Sequence, residues 1–490
     1  MAPSSAVQVK LKDHYDLVVI GGGINGTTVA REGSARGLSV LLCQASDLAT
    51  GYSSAQPYFL SANLRNLRRF RLTNLANDYD ELKRLQQLAP YLMRTCPTLE
   101  CFDGHWSWPL LNTLHNAWQQ PVKKPAVAAQ VLPANGVRIA EQGFQTNASR
   151  FTLANALQAK KHGAHIVTRH ALLKGVREHG LWHLSIQANA SGQAVKLVST
   201  PVLVNATGPH VHTVLNTQLN SDTRAGTLLL RLTHLVVPNS LNLSTAVFYH
   251  RGAQRLGLIP INEHWLHFGP LITAAGEEIS NEDIAQDEQQ LLAELNQCTQ
   301  ASFSADDIAQ CRSGLRAVCD DGNQQDLSDL VLDIDCPDGQ SPLVNLFGGD
   351  LLHHLSTAER VFRLLSPYLP SKARRAGKLS PLPGAGFSDA RQLLKELASS
   401  YPKMPNALLQ RLSITYGDAS FEILGQTKTE KDLGRDFGHG LHQKEVDYLV
   451  DNEWAQTAAD ILERRTSLSW DFTAAQAQEL EEYLVDRLNS

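Results

Sequence analysis

Residues 15–47 read YDLVVIGGGINGTTVAREGSARGLSVLLCQASD. Tyr15 to Ile20 is short, apolar and β-branched, glycines follow at once, and Thr27 to Arg36 suits a helix that Gly37 stops. Leu38 to Cys43 then reads as a second buried strand, so the order predicts a βαβ unit. In the spacing Gly21-x-Gly23-x-x-Gly26 each glycine has a mechanical task. The first allows a tight turn, the second lets backbone N–H groups approach a pyrophosphate, and the third lets the helix pack close to the strand. The helix N-terminus adds partial positive charge. Such a unit binds a dinucleotide.

Gln44 stands eighteen residues after Gly26, where an acidic residue usually holds a ribose. A carboxylate accepts from both ribose hydroxyls, whereas an amide offers one acceptor oxygen and an NH2 donor. The weakened hydrogen bond is worth roughly 0.5–1.5 kcal/mol, which is modest beside the pyrophosphate contacts. No Arg follows in QASDLATG, so a 2′-phosphate is unsupported. The plainer alternative is that Gln44 simply ends a strand at the surface.

Composition places the chain without naming its chemistry. With 490 residues, 43% hydrophobic and 19% charged, it is an ordinary globular chain long enough for two to four domains. A net charge of −5 gives no electrostatic reason to bind nucleic acid. The seven cysteines (43, 96, 101, 298, 311, 319, 336) are scattered, without CxxC pairs or zinc spacing, which favours reduced thiols and a cytoplasmic setting. Cys96 and Cys101 flank a Pro and read as buried packing residues. No segment approaches twenty uninterrupted apolar residues, so no membrane span is expected. In LRNLRRFRLTNL, Arg65, Arg68, Arg69 and Arg71 lie among leucines. Such a piece suits either an anionic membrane surface or a solvated helix face beside a core.

Two later strand ends resemble parts of one cofactor site. In TPVLVNATGPHV a buried strand, Val202 to Asn205, ends in Ala206-Thr207-Gly208. In PLVNLFGGDLLHHLSTAERVFRLL a strand, Val344 to Phe347, meets Gly348-Gly349 and then a helix. A helix N-terminus aimed at an isoalloxazine stabilises the anionic reduced flavin, so a flavin site built from both ends of the sequence is expected.

These runs, together with THLVVP, CRSGLRAVCDD, TYGDASFEILG and YLVDNEWAQTAADILERRTSL, resemble in order the FAD-dependent glycerol-3-phosphate dehydrogenases, flavoenzymes that pass electrons to a membrane quinone. The resemblance runs from about Tyr15 to the C-terminus. It implies an α/β fold with a glutathione-reductase-like FAD-binding Rossmann domain, an antiparallel-sheet substrate domain and a C-terminal α-helical domain. On this reading residues 1–14 form a tail and 15–386 the oxidoreductase region, with FAD segments at about 15–75, 145–225 and 340–370. Residues 387–490 form a helical cap, starting after the Pro/Gly-rich SPLPGAGF. The resemblance also implies a homodimer peripheral on the cytoplasmic membrane face.

The family pattern is broken where substrate chemistry is expected. The family reads Ser-Lys-Leu-Ile-His-Gly-Gly-Leu-Arg-Tyr where this chain reads PYFLSANLRN. Arg65 is kept, while the Lys, His, both Gly and Tyr become Tyr58, Ser61, Ala62, Asn63 and Asn66. A Lys-Gly-Ser-His run becomes Arg231-Leu232-Thr233-His234, and a Gly-Thr-Thr-Asp turn becomes Gly269-Pro270-Leu271-Ile272. The lysine after the double glycine is Asp350. In the family that lysine is a cation beside flavin and substrate. An aspartate would oppose both the phosphate and the reduced flavin, so weak turnover of glycerol 3-phosphate is expected.

Carried over residue by residue, the resemblance makes His234 and Arg316 the catalytic candidates and puts Arg65, Arg316 and Asp350 at the substrate. The cofactor candidates are Gly21, Gly23, Ile24, Asn25 and Gly26, then Gln44, Ala45 and Asp47, then Ser53 and Ser54. Leu172, Gly208, Gly348, Gly349, Asp350 and Leu351 complete them. Each has a plain alternative: Arg65 and Arg316 as structural ion pairs, His234 as a satisfied core histidine, Asp350 as a helix N-cap. His353 and His354 lack a ligand cluster, so no metal is expected. Three functions stay open: an active glycerol-3-phosphate dehydrogenase with a remodelled pocket, a same-fold flavoenzyme acting on a less anionic alcohol or amine, and a catalytically silent FAD-binding relative.

Overall fold

The structure, a computed structural model, describes residues 10–56, 58–64, 66, 71–102, 125, 127, 129–133, 137–189, 194–221, 223, 225–252, 254–319, 330–337, 339–373 and 379–489. Leu17–Ile20, a wholly buried LVVI, lies inside a six-stranded sheet. The sheet order is Leu330–Asp335, Leu343–Gly348, Leu203–Asn205, Leu17–Ile20, Val40–Cys43, His165–Val167. All pairings are parallel except that of the edge strand Leu330–Asp335. Strands buried on both faces read as continuous apolar runs, as these do. Helices Ile24–Ala35 and His354–Leu365 bury Val29, Ala30, Val361 and Phe362 in one cluster with Leu17 and Val19, and Ala148–Lys161 adds Leu153, Ala156 and Ala159. Asn147 starts the last of these helices by accepting from the Arg150 amide at 3.1 Å.

The register sets Ile20 beside Asn205, and Asn205 beside Asn345. Three parallel strands therefore end side by side, and Gly21, Gly208 and Gly348-Gly349 come to one rim of the sheet although they span more than 300 residues. Ligands bind beyond the carboxyl ends of such strands. The strand, turn and helix order expected from the sequence is present, with the first helix beginning at Ile24 rather than Thr27 and the second strand at Val40 rather than Leu38.

An eight-stranded sheet forms the second layer. Its order is Gln310–Cys319, Thr227–Pro238, Trp265–Ala274, Gln254–Pro260, Ala246–Arg251, Arg94–Phe102, Val137–Gln145, Phe59–Leu60. It is antiparallel save for the pairing of Ala246–Arg251 with Arg94–Phe102. Helix Asn281–Thr299, opened by a Ser280–Asp283 capping box, packs Leu291 and Leu295 on Leu235 and Val237. The opposite face looks at the cofactor layer: a Cβ on Gly314 would come 2.3 Å from the Ala55 Cβ. Helices from Ala390 onward close on their own core, which includes Leu397, Leu409, Tyr416, Val446 and Leu480. No described helix is long and apolar enough to cross a membrane. Cys96 and Cys101 are buried, and every cysteine is a free thiol.

Candidate active site

The three motif glycines differ in what constrains them. Gly21 has φ +111°, and a Cβ there would sit 2.4 Å from the Ala206 carbonyl oxygen; at Gly26 it would sit 1.9 Å from the Gly21 oxygen. The fold itself forbids side chains at both. At Gly23 a Cβ would meet only Ser53 Oγ, at 3.2 Å, and at Gly208 nothing within 4 Å. The surrounding chain does not require Gly23 to be small, so the close approach of a ligand is the remaining reason.

Gly23 lends no side-chain cap to the helix at Ile24, whose first turn holds no acidic residue; Ser53 Oγ accepts from the Ile24 amide at 3.1 Å. The positive end of the helix is open to an anion. Asn25 Nδ2 donates to the Gly348 carbonyl at 3.4 Å, joining two of the three turns, and its buried Oδ1 has no partner among the described residues. A pyrophosphate-bearing cofactor such as FAD fits this donor set.

Around the expected ribose position the outcome is mixed. Gln44 accepts from the Gly22 amide at 2.7 Å and donates to Ser46 Oγ at 2.7 Å and Thr50 Oγ1 at 3.3 Å. Its NH2 is thus spent on its own loop, and only the second lone pair of its oxygen is left for a hydroxyl. Asp47 is a correction. Its side chain is buried under two arginines of the C-terminal helices, with Arg464 Nε and Arg465 Nη2 each at 2.8 Å, and does not face the glycine turn. Ala45 is exposed, and its carbonyl accepts from Asn189. Ser54 bonds the Gly51 carbonyl at 2.9 Å, and Leu172 points into the core with Trp182 and Val18, so neither side chain is offered to a cofactor. Leu351 is likewise a core residue, packed near Phe151 and Leu355.

On the sheet face opposite the glycine turn, Arg316 is 8% exposed and its Nε and Nη2 have no partner among the described residues. Its guanidinium carbon lies 5.3 Å from the centre of the Tyr52 ring. Arg316 helps to lower the Asp350 pKa, yet no hydrogen-bonded ion pair of Arg316 occurs among the described residues, and a buried guanidinium with two unpartnered donors suits an anion.

His234 is on the same face but does not meet Arg316. In register His234 opposes Arg312, while Arg316 opposes Leu230. The offset of four residues corresponds to roughly 13 Å along the strands. Among the described residues neither ring nitrogen of His234 completes a hydrogen bond, although the Ala55 carbonyl is near, and the ring lies tilted at 4.5 Å from that of His267. Burial pushes the His234 imidazole down to about 3, the Ala55 carbonyl opposes this and the Arg312 guanidinium adds to it. Burial, His234 and Arg312 hold His267 well below the usual range as well. The expectation of a proton-accepting base poised near neutral pH is therefore corrected: His234 is neutral, weakly basic and enclosed by His267, Ala55 and the Tyr58 segment. It is not a satisfied core histidine either.

Asp350 also departs from expectation. Its Oδ1 accepts from the His353 backbone N–H at 2.8 Å and from His353 Nδ1 at 3.0 Å, within the turn ahead of helix His354–Leu365, whose N-cap position is His353, so the N-cap alternative for Asp350 is corrected as well. The other ring nitrogen, Nε2, is 3.1 Å from Asp78 Oδ1. Burial alone would lower the His353 pKa, but the two carboxylates raise it to about 10, so the ring is an imidazolium. For Asp350 burial works upward and loses to His353 and Arg316, which bring its pKa to about 2. The turn therefore carries an imidazolium three residues beyond the family's lysine position, but one held between two carboxylates, so the cluster is not net positive.

Arg65, with Arg68 and Arg69, lies outside the described residues. Ser61, at the family's His position, accepts from Arg255 Nη2 at 2.8 Å, and that arginine also holds the buried Glu100. No group of three or more metal-ligating side chains occurs among the described residues.

The sequence reading missed His353, Asp78, His267 and the Arg464–Arg465 pair. His353 was weighed only as a metal ligand, although a histidine three residues after an aspartate at a helix start carries an ion-pair signal. The others are brought in from remote segments and carry no local signal.

A family model described as "FAD dependent oxidoreductase" matches residues 16–340, and one described as "C-terminal domain of alpha-glycerophosphate oxidase" matches residues 377–488. The chain is 30% identical to the aerobic glycerol-3-phosphate dehydrogenase of Escherichia coli, over 96% of this chain and 97% of that one. It is 29% identical to the D-erythritol 1-phosphate dehydrogenase of Brucella abortus, over 94% and 96%. Among solved structures, the glycerol-3-phosphate dehydrogenase from Bacillus halodurans complexed with FAD superposes with a TM-score of 0.70 at 20% identity, covering 97% of this chain and 95% of that chain.

Proposed function

Because the chain belongs to the FAD-dependent glycerol-3-phosphate dehydrogenase family of oxidoreductases, we propose that it oxidises sn-glycerol 3-phosphate to dihydroxyacetone phosphate and passes the electrons to a quinone. The observation that carries this reading is Arg316, buried on the sheet face across from the glycine turn with two donors idle. Bound FAD supplies the two-electron acceptor. Arg316 holds the phosphate in a geometry that Arg suits by its fork, and the Tyr52 ring keeps the guanidinium in place. His353 engages the Asp350 carboxylate at the turn Gly348–Asp350 and is itself held between Asp350 and Asp78. For His234 to take the hydroxyl proton, the segment carrying Ala55 and Tyr58 has to withdraw from the sheet.

A homodimer resting by electrostatic contact on an anionic membrane face, with the helical cap starting near Phe387, completes the proposal. The absence of a spanning helix among the described residues agrees with peripheral attachment. A second reading, a same-fold flavoenzyme acting on a less anionic alcohol or amine, is favoured by Asp350 standing where the family carries a lysine. Steady-state turnover with an artificial electron acceptor on glycerol 3-phosphate, D-erythritol 1-phosphate and unphosphorylated glycerol separates these. The first reading requires glycerol 3-phosphate to be preferred, and loss of that preference favours the second.

A further inference from the structure

From the buried contacts of Asp47 we infer that Arg464 and Arg465, more than 400 residues away in the C-terminal helical domain, are positioning residues of the cofactor loop, so that docking of this domain and FAD binding are coupled. This rests on the FAD reading above. Asp47 belongs to the loop Gln44–Thr50, which holds the glycine turn from two sides: Gln44 Oε1 accepts from the Gly22 amide at 2.7 Å, and the Ala49 amide donates to the Gly22 carbonyl at 3.0 Å. Thr50 Oγ1 ties back to the Asp47 carbonyl at 3.0 Å. Whatever fixes Asp47 therefore fixes Gly22, one residue from the glycine that faces the pyrophosphate position.

Among the described residues the Asp47 carboxylate is held from the C-terminal side. Both of its oxygens are taken, Oδ1 by Arg465 Nη2 at 2.8 Å and Oδ2 by Arg464 Nε at 2.8 Å and by Arg465 Nη1. Arg465 is 0% exposed and also donates to the Glu453 carbonyl at 2.7 Å. Asp460 accepts from Arg464 and Arg169, and the Arg169 amide donates to the Ser46 carbonyl at 2.8 Å, inside the same loop. A charge pair this deeply buried is held only while both sides are in place, because either side alone leaves an uncompensated charge. Coupling of two sites is reciprocal: if a docked C-terminal domain tightens FAD, FAD tightens the docking.

The test uses the full chain stripped of flavin and reloaded. Hydrogen exchange is compared with and without FAD. The expected result is that amides of 460–466 slow at least several-fold more than those of helix Ala474–Asn489, which belongs to the same domain and makes no hydrogen bond to the loop among the described residues. In parallel, FAD affinity is measured by fluorescence for Asp47→Asn, Arg465→Met and, as a control, Arg435→Gln, which breaks an exposed ion pair with Glu479 inside the C-terminal domain. The first two should weaken FAD about tenfold or more, and the control should leave it unchanged. Equal slowing of both segments, or unchanged affinity in a folded Asp47→Asn chain, overturns the proposal. A wild-type chain that takes up no FAD overturns the functional reading itself.

Discussion

The two layers that face each other across the candidate site obey different rules. On the cofactor side the decisive contacts are backbone ones: Gly21 and Gly26 are excluded from carrying side chains by carbonyl oxygens 2.4 and 1.9 Å from where a Cβ would stand. On the opposite layer the polar groups are side chains from separate strands, and several are buried without partners among the described residues: Arg316 Nε and Nη2, both nitrogens of His234, and His267 Nδ1, as Asn25 Oδ1 is on the cofactor side. The cofactor layer is set mainly by backbone geometry. The opposite layer is set by side-chain polarity brought together by strand pairing.

The sharpest way to break this contrast is Gly23→Val. Since a Cβ at this position meets only Ser53 Oγ, the chain should fold with an unchanged far-ultraviolet spectrum while FAD affinity falls by roughly 100-fold or more. Retained flavin would remove the pyrophosphate from this turn. On the other layer, Arg316→Met should lower kcat/KM for glycerol 3-phosphate by roughly 10- to 100-fold, the range for charged hydrogen bonds, and leave flavin content alone.

How much of this was legible in the sequence follows the same division. The glycine turn, both flanking strands and the later turns at Gly208 and Gly348 were readable because a period-coded strand followed by glycine leaves little other use for the residues. Asp47 was not, because its proximity to the ribose position hid a pairing with Arg464 and Arg465. Asp350 was misjudged for a related reason. One residue compared with a family position shows a lost lysine, whereas the charge on His353 becomes visible only when Asp78 is folded against it. The enclosure of His234 by His267 had no signal at all, since the two are neighbours only through strand pairing.

The His353 clamp gives a smaller, pH-dependent effect. His353→Gln should destabilise the chain by roughly 1.5–3 kcal/mol at neutral pH, as expected for hydrogen bonds to charged groups. The folded pKa of His353 is raised, to about 10. Its contribution is therefore complete below the ordinary value near 6.5 and is lost as pH rises through about 10. Thermal melts of the two chains should converge at alkaline pH, and a constant difference would show that the ring is not charged. By the same logic Asp350→Lys places a second cation against His353 and should not by itself raise turnover. The smallest effect is at Gln44. Gln44→Glu should tighten FAD by about tenfold at most, because one hydrogen bond is at stake, and a larger gain in a fluorescence titration would mean that the amide limits binding.

The central claim is that an intact cofactor layer serves a substrate layer that still accepts a phosphorylated alcohol. Anaerobic addition of glycerol 3-phosphate to the FAD-loaded chain, followed by visible absorbance, tests it most directly. The account predicts that the oxidised flavin band bleaches, slowly, and that Arg316→Met slows the bleaching by roughly a further 10- to 100-fold while dithionite still reduces both proteins. A fully loaded chain whose flavin stays oxidised under prolonged excess glycerol 3-phosphate, yet bleaches with dithionite, would contradict it.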